Sequence, residues 1–397
     1  MKRKLKIFYL HGFFREFVLL YPVYMLMFES KGLSMLEISS LLMIWSVPVF
    51  LLEIPSGILA DVWSRKNMIV LGTVLKLIGF ILWLFAQDFM LFAAGFIFWG
   101  LQEAFCSGSS EALLFDMLKE HEMDHEYERY AGRFRFFCGV SAALSMALGG
   151  FVAAVGFDVA ALLSVASIGL SVIFALLLKD ARKAECDAIT WRYYFGQIKT
   201  GIKFSKNNAK LTVLIAFCTL IAVVPGVLEE YDQVYAQRVG LSLGWIGVWG
   251  AIRTGLESLG SWFAHKVKRL FATVNGLLVL AVLADLLLFI SVYINAIYML
   301  PVYGLFYMLA SCGIVLAEGR IQRLTDSSQR ATVLSVNSLL INLSGFVLLL
   351  GFGGISEQWD IRTAFLAMAV FTVVMVLPLA IAHKAVEKQE KNEHHAA

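Results

Sequence analysis

Charged side chains interrupt otherwise apolar runs at Arg15 and Glu16, at Lys76, at Glu103 and Glu111, at Arg253 and Glu257, and at Asp285. An ionised group in an apolar slab costs at least about 2.5–3.5 kcal/mol, so each marks a function or needs a partner. Glu103, Ser107 and Glu111 recur at i, i+4 and i+8, the spacing of one helical face. A buried carboxylate on such a face can take up and release a proton. Arg253 and Glu257 stand four apart and either neutralise one another across a helical turn or join the same proton path.

Other chemistries lack their residues. There is no Walker phosphate loop, no CxxC pair with zinc spacing, and no nucleophile set against a base. Cys106, Cys138, Cys186, Cys218 and Cys312 are scattered, and four lie in apolar runs where a thiol packs as a small hydrophobe. The HEMDH stretch at 121–125 falls in a polar loop and reads as a solvated face rather than a metal site. No enzyme activity, cofactor or metal is expected.

The elements that must carry these charges are membrane helices. Of 397 residues, 59% are hydrophobic and 16% charged, against about 45–50% and 25% in soluble chains. Mean hydropathy is +0.75. Twelve spanning helices of about 20 residues need about 240 apolar positions, close to what the chain has. A soluble enzyme, a disordered chain and a secreted disulfide scaffold are excluded, and a net charge of +3 is too small to suggest nucleic acid. Almost no stretch alternates with period two, which excludes a membrane barrel. The start, MKRKLKIFYLHGFF, resembles a signal peptide, but Arg15 and Glu16 interrupt its apolar run and no small-residue cleavage site follows. It is expected to remain as the first span.

Apolar runs predict spans over 7–28, 37–59, 67–86, 89–116, 132–155, 158–178, 211–236, 244–264, 271–294, 296–318, 331–354 and 361–382. With the N-terminus inside, only Lys31, Arg238 and Arg362 of the 33 Lys and Arg residues fall outside, and Arg15, Lys76 and Arg253 fall within spans. The remaining 27 are inside, so both termini are expected in the cytoplasm. The longest polar break, with an interfacial stretch WRYYFGQIKTGIKF, divides the chain. The expected parts are a bundle over 1–180, a linker over 181–210, a second bundle over 211–385 and a tail over 386–397. GLSMLEI at Gly32 and GLSLGWI at Gly240 are offset by 208 residues, and Pro22 and Pro225 fall in the first span of each half. Two parallel six-span repeats are the plan of one large transporter class.

Between spans two and three runs Gly57-Ile-Leu-Ala-Asp61-Val-Trp-Ser-Arg65-Lys66. It resembles the signature loop of the major facilitator superfamily, with Ser64 where that family usually has glycine. Glu53-Ile-Pro-Ser-Gly57 before it, and Ser107-Gly-Ser-Ser-Glu111-Ala-Leu-Leu-Phe-Asp116 at the end of span four, resemble one bacterial branch of drug and uncharacterised transporters. Small Gly57 permits close helix approach, and Arg65 offers a donor fork to a carboxylate.

The resemblance implies an all-α integral membrane protein of twelve helices in two pseudo-symmetric six-helix bundles. In that family the loop is a conformational latch. Gly57, Asp61, Arg65, Lys66 and Asp116 are therefore latch candidates, with Asp116 contacting the loop arginine. Spans one, four, seven and ten line the cavity in the family, which implies that Arg15, Glu103, Ser107, Glu111 and Tyr307 face it. Tyr231 and Gln233 are expected at an outer gate, and Arg253 with Glu257 on the pathway. The implied function is proton-coupled export of amphipathic compounds, with import of a metabolite as the alternative and lipid handling or sensing as a third. The antiporter pattern G-x-x-x-G-P-x-x-G-G is degenerate here, as Ser141-Ala-Ala-Leu-Ser145-Met-Ala-Leu-Gly149-Gly150. Expected partners are a small-molecule substrate, a proton and the bilayer, with no nucleic acid. The expected setting is a monomer in the bacterial cytoplasmic membrane.

Overall fold

The computed structural model describes residues 2–62, 64–106, 108–179, 208–271, 273–325 and 330–396. The described residues are almost wholly helical. The helices are α1 (Lys2–Glu16), α2 (Tyr24–Ser30), α3 (Met35–Val62), α4 (Arg65–Phe85), α5 (Phe89–Cys106), α6 (Ser109–Lys119), α7 (Tyr127–Val155), α8 (Phe157–Leu177), α9 (Ala209–Arg238), α10 (Leu243–Phe271), α11 (Val274–Ile294), α12 (Leu300–Leu324), α13 (Arg330–Gln358) and α14 (Ile361–Ala396). Ten stretches among them are long and apolar enough to cross a bilayer. The first and eighth expected spans are not among the ten. α1 is only 15 residues long, and α10 is interrupted by Arg253, Thr254, Glu257 and Ser258.

Two of the expected spans are broken helices. Span one is α1, an irregular turn through Pro22, and α2. Span four is α5 and α6, divided at Gly108, whose φ of +68° favours glycine. By contrast α9 runs unbroken through Pro225. The two matched prolines thus differ in setting: Pro22 lies in a break, whereas the helix around Pro225 continues.

The chain forms two compact units, Met1–Tyr193 with Ser242–Ala251, and Tyr194–Leu241 with Ile252–Ala397. The expected linker lies mostly outside the described residues. In the first unit α5 packs on α3 and α4, while α1 packs on α7 and α8. Phe28, Trp83, Phe92 and Phe96 interlock at its core, with the Trp83 indole N–H donating to the Phe92 carbonyl at 3.1 Å. In the second unit α9 is central, against α12, α13 and α14, with Leu214, Phe217, Cys218 and Ile221 on its buried face.

Helix ends follow from local residues. Ser64, Asn208 and Thr273 accept N–H bonds at the starts of α4, α9 and α11. Ser34 and Glu37 form a reciprocal capping box before α3. Asp360 caps α14, and the hydroxyl and N–H of Thr363 hold its carboxyl below the usual range. The weak sequence repeat is a repeated turn: Gly32 has φ +89° and Gly240 φ +102°. The Leu33 N–H donates to Phe28 O at 3.1 Å and the Leu241 N–H to Ala236 O at 3.0 Å, the same helix stop in both units.

Gly32→Ala and Gly240→Ala are each expected to destabilise by about 1–2 kcal/mol, because a side chain is disfavoured at left-handed φ. Gly139→Ala, at an ordinary helical position with open space, is the control and should not destabilise. Thermal unfolding of the detergent-solubilised chain measures all three.

Candidate functional site

A helix that stops inside an apolar region exposes its last carbonyls. At the end of α1 those carbonyls are met by side chains from three other helices. Ser141 on α7 donates to Phe13 O at 2.5 Å, Ser167 on α8 to Phe14 O at 2.9 Å, and Lys76 on α4 to Arg15 O at 2.9 Å. Ser145 reaches Glu16 O at 3.4 Å, and the Leu20 N–H donates to the Ser164 hydroxyl at 3.1 Å. Farther back, Ser171 donates to His11 O at 2.9 Å. A Cβ on Gly149 would lie 2.2 Å from Leu19 O, so the glycine leaves room for the turn. The degenerate stretch Ser141…Ser145…Gly149 is thus a seat for the break in span one.

The same turn holds charges. Arg15 Nε lies 2.8 Å from Glu16 Oε1. The Lys76 ammonium lies 5.4 Å from the Tyr21 ring centroid, and Glu16 and Glu103 are the carboxylates within its electrostatic range. Tyr21 stacks on Trp99 at 5.4 Å, and Trp99 meets Trp45 at 5.8 Å. This gives an aromatic wall beside two cations and two carboxylates.

The second unit has an unbalanced cluster. Arg253 lies 2.8 Å from Asp232, 2.5 Å from Glu229 and 3.4 Å from Glu257. Tyr303 and Tyr307 both donate to Asp232 Oδ1, the latter at 2.9 Å, and the two hydroxyls are 3.0 Å apart. The guanidinium sits 4.8 Å from the Tyr307 ring centroid. Ser311 donates to Glu257 O at 2.8 Å and lies 2.5 Å from the Ser261 hydroxyl, tying α10 to α12. The Arg253 and Asp232 side chains are 4% and 8% exposed, whereas those of Glu229 and Glu257 are 48% and 38% exposed. A buried charge pair therefore has two acids at an accessible edge.

In the loop before α4, Arg65 pairs with Asp116 of α6 and donates to Ala112 O at 3.2 Å. Ser64, the departure from the family pattern, caps α4 through the Asn67 N–H. The surroundings of Gly57, the side chain of Asp61, and Ser107 lie outside what is described.

The structure places the expected site residues as follows. Glu103 and Glu111 do not share one helical stripe, because the break at Gly108 separates α5 from α6. Glu111 is exposed and pairs with Arg135 at 2.6 Å, while Arg15 turns to its neighbour Glu16. Tyr231, expected at an outer gate, is buried and stacked on Phe352 at 3.9 Å. Arg253 and Glu257 are in contact, but Asp232 and Glu229 are nearer. Asp232, which was not among the expected site residues, is the centre of the cluster. The acids at 229, 230 and 232 beside Tyr303 and Tyr307, themselves four apart, were the available signal.

The sequence profile of the Major Facilitator Superfamily matches residues 10–347. The chain belongs to the major facilitator superfamily. As a member it is a multi-pass membrane transporter of a small molecule. Similar solved folds include the nucleoside transporter NupG (TM-score 0.74, 14% identity, 96% of this chain and 99% of that one). A bacterial homologue of the human lysosomal transporter Spinster, inward-facing and unoccupied, also matches (0.75, 15%, 97% and 96%). So does a D-xylose–proton symporter (0.64, 13%, 95% and 96%). These identities show a shared fold. Curated protein sequences give no match.

Lys76→Met is expected to destabilise this superfamily member by about 1–3 kcal/mol, since it leaves the Arg15 carbonyl unmet. Ser167→Ala should cost less, about 1 kcal/mol. Thermal unfolding in detergent checks both, and equal stability of Lys76→Met and wild type contradicts the assigned role.

Proposed function

We propose that this chain is a proton-coupled secondary transporter that exports amphipathic small molecules by alternating access. One observation carries the reading. Three carboxylates against one guanidinium leave two excess negative charges when all are ionised, on helices of a membrane protein. Arg253 can neutralise only one of the three acids at a time, and the like charges left over favour taking up a cation, for which the exposed Glu229 and Glu257 give a proton an entry edge. By contrast, the charges around span one balance, with Arg15 and Lys76 facing Glu16 and Glu103.

The cluster also offers two arrangements. With Asp232 ionised, Arg253, Tyr303 and Tyr307 all converge on it. With Asp232 protonated, those donors are free for the carboxylates of Glu229 and Glu257 or for substrate. A proton that changes partners in this way can bias a conformational equilibrium. Proton coupling lies within the repertoire of the fold, since a protein named as a D-xylose–proton symporter shares it.

The outward direction follows from the substrate class. Tyr21, Trp45 and Trp99 beside Lys76 and Glu103 suit a molecule with an apolar ring and a charge. Such molecules leak through bilayers unaided, so a driven transporter does useful work on them only outward. We place the protein as a monomer in a bacterial cytoplasmic membrane, with both termini inside and Gly57, Asp61, Arg65, Lys66 and Asp116 as the latch.

The test is accumulation of fluorescent amphipathic compounds in cells lacking their main exporters, with and without a protonophore. Wild type should lower accumulation, the protonophore should abolish the effect, and Asp232→Asn should slow export about a hundredfold. No difference across a broad panel, with the protein present in the membrane, contradicts export.

A further inference from the structure

A cavity lies between the start of α1 and the start of α7 and runs inward along α1 as far as Phe13 and Phe14. Its volume is about 700 Å³. Lys2, Lys6 and Arg133 stand in its wall, with no acidic residue among the lining. Three neighbouring cations pair outside the cavity: Lys4 with Glu120 at 2.8 Å, Arg129 with Glu126 at 2.7 Å and Arg135 with Glu111 at 2.6 Å. Lys2, Lys6 and Arg133 are exposed and make no ion pair among the described residues. Arg133 rests instead on the Tyr130 ring at 5.6 Å. The N-terminus of α1, with its unmet N–H groups and positive dipole end, adds to the same field.

The rest of the wall is apolar and aromatic. Tyr9 stacks on Phe137 at 5.5 Å, and Phe13 and Phe14 continue the surface along α1 toward the middle of the span. Charge thus sits at the helix starts, and aromatic surface runs deeper. This polarity matches one ligand chemistry: an anionic head on an apolar tail.

We propose that this cavity binds an anionic phospholipid of the membrane leaflet that faces the chain's N-terminus, its phosphate on Lys2, Lys6 and Arg133 and an acyl chain along Phe13 and Phe14. Basic pockets between membrane helices capture such headgroups by this combination of charge and apolar depth. A free phosphate offers the first contact but not the second. The proposal does not depend on proton coupling or on the direction of transport.

The full-length chain in detergent tests it by native mass spectrometry and thermal unfolding, with phosphatidylglycerol, phosphatidylcholine and inorganic phosphate as separate probes. Phosphatidylglycerol should give one retained adduct per chain and raise the unfolding temperature, and the other two probes should do neither. The Lys2→Gln, Lys6→Gln, Arg133→Gln variant should lose the adduct. Lys4→Gln, Arg129→Gln, Arg135→Gln removes the same charge outside the cavity and should keep it. Lys2→Arg, Lys6→Arg, Arg133→Lys should keep it too, which separates loss of charge from loss of folding. Equal retention by the two glutamine variants overturns the site. Equal stabilisation by phosphatidylcholine, or by inorganic phosphate alone, overturns the ligand.

Discussion

Inside a bilayer no water is available to a backbone carbonyl, and the structure around span one is organised by that constraint. The span stops at Glu16 and resumes at Tyr24. The groups freed by the break are then met by Ser141 and Ser145 from α7, Ser164 and Ser167 from α8, and Lys76 from α4. Those three helices are held around α1 by polar bonds as well as by packing. The arrangement also fixes where Arg15, Glu16 and Tyr21 stand, since all three belong to the turn or its edge. Lys76 serves twice, as donor to a carbonyl and as the cation beside Tyr21. A cation near a helix C-terminus is favoured by the dipole as well.

Charges obey the same rule, and the two units answer it differently. In the first, cations and carboxylates match in number, so the site can stay ionised at modest cost. In the second, Arg253 is shared among three acids and two tyrosine hydroxyls support only one of them. Under the proposed coupling, the first unit is a scaffold with an aromatic wall and the second the place where protonation changes the bonding. Proton coupling asks for both kinds of site: one that holds its shape while substrate is bound, and one whose charge state selects between conformations.

Much of the fold was legible because hydropathy is a length-integrated signal, and twelve long runs survive any local error. The same averaging hid the breaks. The runs 7–28 and 89–116 read as single spans, since Pro22 and Gly108 scarcely change a window's mean. The serines were hidden for a related reason: a hydroxyl is nearly neutral on such scales, and its importance lies in which carbonyl it meets three helices away. Arg65 was readable because a loop motif is local, and its pairing with Asp116, 51 residues away, was implied by the family resemblance. Asp232 was not, because its partners come from α10 and α12, and its position near the end of a span suggested solvent. Lys76 could be read only as a charge in need of a partner until the carbonyl it caps was visible.

The most direct test of the account is an infrared titration of the carboxyl C=O stretch in the purified protein, which needs no substrate. Wild type should show a protonated-carboxyl component that grows as pH falls and is missing from the Asp232→Asn titration, while Glu103→Gln retains it. A titration identical in wild type and Asp232→Asn would mean that the cluster around Arg253 holds no exchangeable proton on Asp232, and the proposed coupling would be wrong.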